Sequence, residues 1–387
     1  MTCKEGENIP EARFKGFEDE WEIVKLGDMF DNFKEKNNED KIILASTIDK
    51  GVIPNSLTER KIIRKKESLS NYKLVKKGCF VISLMSFQSG FEYSDYEGII
   101  SPAYTVLKPK IEMAPYFYKY YFKSYYFINK SLPKYAEGIR DGKQIKYKAC
   151  KEILVPYPPL DEQKRIASAL SKIDAYLENT IKLIEEKERF KRGIAKKLLT
   201  CKEGENIPEA RFKGFEDEWM EVAISKIGTI ITGNTPSTKN ESFWNSNNVW
   251  VTPTDIKQKY ISNSERKLTD DGLKKSRKLP ANTLLITCIA SIGKNAILKC
   301  EGACNQQINA IIPNKNYNVD FLYYLFENEK SYLKFKAPQS VIKIMSKSEF
   351  SKLVFKFPLL EEQEKIGGYL SSIDAEIDNL KKAKRID

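Results

Sequence analysis

Beyond Pro158-Pro159, apolar side chains return at spacings of four and three: Ile166, Leu170, Ile173 and Leu177, then Ile184, Ile194 and Leu198, interrupted by Thr180, Lys187 and Lys191. Residues so spaced share one face of an α-helix, and a stripe this narrow suits the seam along which two helices pack. Asp161 is placed to cap the start, and Glu162 loads the first turn, where the helix dipole favours acids. A helix reaching Leu199 would span roughly 60 Å at 1.5 Å per residue, longer than an ordinary core helix. The pattern returns near the other end of the chain, with Ile366, Leu370, Ile373, Ile377 and Leu380 on the same seam. This second helix is expected to be shorter, lacking counterparts of Glu188 to Thr200. Matching seams predict that the two helices pair antiparallel; the alternative is that each packs only on its own globular half.

Elsewhere the pattern is that of short strands. Cys79 to Ser83, Ala103 to Leu107 and Thr283 to Thr287 are β-rich and bounded by Gly, Pro or Asn. Thr269-Asp270-Asp271-Gly272 reads as a capped helix start. Tyr116 to Phe127 carries nine aromatics in twelve residues. Stacked bases could rest on such a platform, but the matching run Phe321, Leu322, Tyr323, Leu325, Phe326 has helical spacing and points to core. The globular parts are therefore α+β.

An internal repeat organises these elements. Thr2 to Trp21 and Thr200 to Trp219 spell the same twenty residues, TCKEGENIPEARFKGFEDEW, and the helix starts at Pro158 and Pro358 share Pro, Leu, Glu-Gln, Ile, Leu-Ser and Ile-Asp-Ala. A period near two hundred residues is too long for a solenoid, so the chain is a duplicated domain. The divisions expected are 1–157 and 201–357 for the globular parts, 158–200 for the first long helix and 358–387 for the second. The repeated segments would form a common frame, and the divergent stretches between them two different surfaces.

Composition narrows the chemistry. A length of 387 residues allows two to three domains. Lys and Arg number 65 against 53 Asp and Glu, a net charge of 65 − 53 = +12 that favours a polyanionic partner, nucleic acid before an acidic membrane. The chain has no histidine, which removes Ser-His-Asp and Cys-His catalysis and every zinc site built on imidazole. Seven scattered cysteines, no apolar leader after Met1 and no long apolar run predict a soluble protein of the reducing cytoplasm.

Candidate contacts to DNA follow from charge and position. Arg60, Lys61, Arg64, Lys65 and Lys66 cluster in the first half, and Arg266, Lys267, Lys274, Lys275, Arg277 and Lys278 in the second. Such cations release counterions from phosphates, and arginine also reads guanine edges; an ordinary solvated face is the alternative. Phe87 to Gly90 and Ser291 to Lys294 follow matched strands as matched loops, and Gln88, Lys294, Gln306 and Gln307 have groups that can meet base edges; turns with ordinary surface polar groups are the alternative. Signatures of chemistry are missing: Gly293-Lys294 lacks the earlier glycine and following Ser/Thr of a phosphate loop, and no GxGxxG follows a strand. Cys300 and Cys304 have no second ligand pair, so no metal site is expected.

These residues carry a resemblance. The segment Pro10 to Trp21 with its copy Pro208 to Trp219, and Pro-x-Leu-x-Glu-Gln opening a long helix at Pro158 and Pro358, are similar to the specificity subunits of type I restriction-modification enzymes. Ser101 to Leu107 and Gly233-Asn234-Thr235-Pro236-Ser237 resemble segments of that family's target recognition domains. The resemblance implies two such domains related by a pseudo-twofold axis, each reading half of a split, asymmetric DNA target, with an antiparallel coiled coil as the spacer that sets the gap. It also implies no catalysis in this chain. Two modification subunits would methylate adenine with S-adenosylmethionine, and restriction subunits would use ATP and Mg for cleavage. The rival readings are a coiled-coil scaffold or decoy without specific DNA binding, and an enzyme with an unfamiliar acidic site.

Overall fold

The computed structural model describes residues 8–58, 66–83, 89–136, 145–337 and 344–384. The chain divides into two compact units, Met1–Tyr176 and Leu177–Asp387, and the division falls within one continuous helix, Leu160–Leu199.

Each unit begins with the same joint. In the first, strand Glu22–Lys25 pairs antiparallel with Leu154–Tyr157, the strand that leads into the long helix. In the second, Met220–Ala223 pairs in the same register with Val354–Phe357, ahead of helix Leu360–Lys384. The repeated segment is thereby clamped to a helix start about 150 residues further along the chain.

Between these joints lies a sheet of matching order. The first unit runs Phe30–Phe33, Tyr104–Pro109, Phe80–Ser83, Glu92–Tyr93; the second runs Gly228–Thr232, Ile308–Pro313, Thr283–Thr287, Asn295–Leu298 and adds Tyr260–Ile261. Successive strand residues point to opposite faces. Phe80 and Ile82 therefore enter a core with Trp21, Phe117, Tyr118 and Phe122, while Val81 joins Leu44, Val75, Ile100 and Val106 behind the sheet. Leu284 and Ile286 against Leu285 repeat this division in the second unit. The aromatic run Tyr116 to Phe127 is core material: Phe117, Tyr118, Tyr121, Phe122 and Phe127 are buried.

The long helix starts two residues before a cap at Asp161 would place it. The Pro159 carbonyl accepts the first helical bond from Gln163 N–H at 3.0 Å, so Asp161 stands in the first turn with Glu162 rather than at the cap. Thr269 does cap its short helix, accepting from the Gly272 N–H at 3.1 Å.

Within the second unit, residues 177–199 of the long helix run antiparallel to Leu360–Lys384. Glu188 pairs with Lys381 at 2.7 Å and Lys191 pairs with Asp374, so partners descend as the chain ascends; Lys187 meets Glu376 at 2.6 Å. Ile184, Leu198, Ile366, Leu370, Ile373 and Ile377 are buried there, with Leu380 packed at the edge. In the first unit the seam is not covered in the same way: Ile166 and Leu170 are partly buried and Ile173 remains 45% exposed. No helix among the described residues is long and apolar enough to cross a membrane.

Candidate nucleic-acid interface

The joint that supports each recognition surface is a buried ion pair. Arg13 donates from Nε and Nη2 to both oxygens of Glu162 at 2.8 Å, and Trp21 Nε1 donates to the same carboxylate at 3.0 Å. Arg211, Glu362 and Trp219 repeat the arrangement at 2.9, 2.8 and 3.3 Å. The adjacent glutamines complete it: Gln163 accepts from Ala114 N–H and donates to Pro158 O, and Gln363 accepts from Asn318 N–H and donates to Pro358 O. These residues lie within the repeated segments, yet their joint role is invisible until the fold joins them. Verbatim repetition was the signal that could have found it.

In the second unit, the end of the sheet where Thr232, Thr287 and Ile308 lie side by side gathers four loops. Gly233 leaves the first strand under the carbonyls of Asn305 and Cys304; a Cβ there would sit 2.2 and 2.3 Å from them, so only glycine fits. Asn234 then pins residues 275–277, donating to Lys275 O at 2.9 Å and accepting from Arg277 N–H at 2.7 Å. Thr235 donates to Gln306 Oε1 at 2.5 Å. Gln307 accepts from Cys288 N–H through its carbonyl and from Asn305 through Oε1 at 2.9 Å, which ties in the turn carrying Lys294. Thr235, Lys275, Arg277, Lys294 and Gln306 are exposed on this rim.

The remaining cations separate into free and engaged. Arg266 stacks on Trp244 with its guanidinium 3.9 Å from the ring centroid, Lys274 pairs with Asp271 at 2.9 Å and Lys278 with Glu301 at 2.8 Å. Lys267 lies in a strand opposite Val249 and is half-buried. Arg277 donates Nη1 to Thr232 O at 2.6 Å while staying exposed.

In the first unit, Arg60, Lys61, Arg64, Lys65 and Gln88 lie outside the described residues, and Lys66 is described only as the start of the turn Lys66–Asn71. The corresponding sheet end, where Phe33 and Ser83 flank the start of strand Tyr104–Pro109, gathers a different set of cations. Lys76 and Lys108 lie over the Phe33 ring at 5.7 and 5.1 Å, and Lys73 donates to Tyr104 O at 2.5 Å. Burial, reinforced by the like charges of Lys34 and Lys36, lowers the Lys73 ammonium below its ordinary value. These five lysines are scattered over 34–108, so only strand pairing brings them together. No group of acids and cysteines able to hold a metal occurs among the described residues.

The chain matches the type I restriction modification DNA specificity domain twice, over residues 18–186 and 216–387. It belongs to that family. Among its relatives, the MjaIX specificity subunit of Methanocaldococcus jannaschii is 35% identical over 44% of this chain and 41% of its own length. The EcoR124I/EcoR124II specificity subunit of Escherichia coli is 30% identical over 65% of this chain. That alignment covers 62% of the Escherichia coli protein. The HsdS subunit of Thermoanaerobacter tengcongensis shares the fold, with a TM-score of 0.54 at 17% identity over 97% of this chain and 94% of that one. The two family domains contain the two matching sheets, and both ion-paired helix starts fall inside them.

Proposed function

We propose that this chain is the DNA sequence-recognition subunit of a type I restriction-modification complex, each unit reading one half of a split, asymmetric target. One observation carries the reading. The same end of the central sheet is cationic in both units, on frames that are otherwise alike, yet its residues differ: Lys34, Lys73, Lys76 and Lys108 in one, Lys275, Arg277 and Lys294 with the Gln306 amide in the other. Two surfaces of different composition on one frame suit two unlike half-sites. Lysines would hold the phosphates, and the exposed Gln306 amide and Arg277 fork would meet base edges in the major groove. The long helix would act as the spacer, keeping the half-sites a fixed number of base pairs apart on a duplex that repeats about every 34 Å.

The proposed partners are double-stranded DNA, two modification subunits and restriction subunits, within the cytoplasm. S-adenosylmethionine, ATP and Mg would serve those subunits, and this chain would do no chemistry of its own. The test is retention of duplex DNA by the assembled modification complex across a salt series. Replacing Lys34 and Lys36 by Gln should weaken binding to all sequences and flatten the salt slope by about one unit per lost contact. Gln306→Ala should instead relax one base position, by about 1–3 kcal/mol. Salt-independent retention, or none, would favour the scaffold or decoy reading.

A further inference from the structure

The sheet of the second unit is attached to its frame at both edges, by different means. At one edge, strand Gly228–Thr232 continues from the joint strand Met220–Ala223 through a single helical turn, Ile224–Ile227. At the other stands the two-residue strand Tyr260–Ile261, the strand added to the order that the two units share. Ile297 N–H donates to Lys259 O at 2.7 Å and Lys299 N–H to Ile261 O at 2.8 Å, a short ladder for an edge. The side chain of Lys259 supplies a second hold.

That side chain is 9% exposed and spends its three ammonium hydrogens on three groups: Asp320 Oδ1 at 2.7 Å, Ser371 Oγ at 2.6 Å and Tyr324 Oη at 3.1 Å. Asp320 also accepts from Tyr260 O–H at 2.6 Å, and Tyr324 O–H donates to Asp374 at 2.5 Å. Asp320 and Tyr324 belong to helix Val319–Asn328, Ser371 and Asp374 to helix Leu360–Lys384. One ammonium thus joins the far edge of the sheet directly to the helix that follows the joint. A cation this buried is costly unless its donors are met, so the geometry is narrowly fixed. The first unit makes the same connection in two steps. Asp95, just beyond edge strand Glu92–Tyr93, accepts from Tyr116 O–H at 2.7 Å, and Tyr120, one turn along the same helix, donates to Asp174 at 2.7 Å.

We propose that Lys259 is a positioning residue for recognition: by pinning the far edge of the second sheet to helix Leu360–Lys384, it fixes the angle at which that unit presents its rim, and so the register of the second half-site against the spacer. A sheet held at one edge pivots about it, and a second hold across the sheet removes that freedom. One base pair more or less in the gap moves a half-site by about 3.4 Å along the duplex and about 36° around it. A pivoting sheet would follow that displacement and a pinned one would not. The proposal rests on the reading of the chain as a DNA-recognition subunit.

The experiment maps methylated adenines produced by the complex of the full chain with a modification subunit. Lys259→Met should keep both half-site sequences and raise methylation at gaps one base pair longer or shorter at least tenfold over wild type. Asp320, 30% exposed and still bonded to Tyr260, tolerates the loss, so circular dichroism should be unchanged. Lys259→Arg should restore most of the gap selectivity, and Ser371→Ala, which cuts only the link to the helix, should relax it. An unchanged gap would overturn the proposal, and so would loss of the second half-site's bases, which would make Lys259 a support of the rim alone. Hydrogen exchange of the free full chain reads the hold without DNA: Lys259→Met should speed exchange in peptides covering 295–299 at least tenfold and leave 228–232 unchanged. No change there, or a uniform one, would overturn the proposal whatever the complex methylates. A loosened edge in a chain whose wild-type complex methylates no split motif would overturn the DNA reading, and the proposal with it.

Discussion

Replacing Arg211 by Met would test the frame at one of its buried ion pairs. The Glu362 side chain is 2% exposed and its carboxylate receives two guanidinium N–H groups at 2.9 and 2.8 Å, with Trp219 Nε1 at 3.3 Å. Truncating the arginine strands a charge that water cannot reach, which costs about 3–5 kcal/mol. Removing both charges, Arg211→Met with Glu362→Met, makes the joint apolar and leaves the buried Trp219 indole N–H without its acceptor, a loss of about 1–3 kcal/mol, while the Asp217 carbonyl that Arg211 also reaches is exposed to water. The double variant is thus expected to be more stable than the single one, with little dependence of the difference on salt because the pair is buried. Urea unfolding followed by tryptophan fluorescence reads the effect, since Trp219 lies at the joint. The parallel change Arg13→Met should cost the first unit a similar amount, Glu162 being fully buried. A cost below about 1 kcal/mol for Arg211→Met, or a double variant weaker than the single one, would refute the reasoning.

Other perturbations separate packing from recognition. Ile373→Ala, in a covered seam, should cost about 2–5 kcal/mol in thermal or urea unfolding, whereas Ile173→Ala at its exposed position should cost well under half of that. Gly233→Ala drives a methyl into the carbonyls of Asn305 and Cys304, so the fold should persist by circular dichroism while the 233–237 loop moves and target discrimination in the second half-site falls. Burial raises the thiols of Cys288 to about 11 and of Cys150 and Cys304 to about 12, so at pH 8 each is almost wholly protonated. Maleimide mass labelling should spare all three until denaturant is added.

What the sequence revealed was what is local or repeated. The seam from Ile166, the strand Thr283–Thr287 and the Thr269 cap depend on neighbours a few residues away and could be read directly. The rim of the sheet could not. Lys34, Lys73, Lys76 and Lys108 meet only because Phe33 pairs with Val106 and Ser83 with Tyr104, and antiparallel pairing over such separations leaves no linear trace. Nor does the linear sequence show the local contacts of the charge clusters: Arg266 stacks on an indole face, and Lys274 and Lys278 pair with nearby acids. Equal seams did not imply equal burial, since coverage of Ile173 and Ile373 depends on another element lying above them.

The central claim, that two units read two unlike half-sites, is tested most directly by mapping methylated adenines across the genome of a host without other adenine methylation, after co-expression of this chain with a cognate modification subunit. The expected result is one asymmetric motif with two specific halves and a fixed gap, in which Gln306→Ala loosens one half and leaves the other intact. A continuous or palindromic motif, a loss spread evenly over both halves, or no methylation from an assembled complex would contradict it.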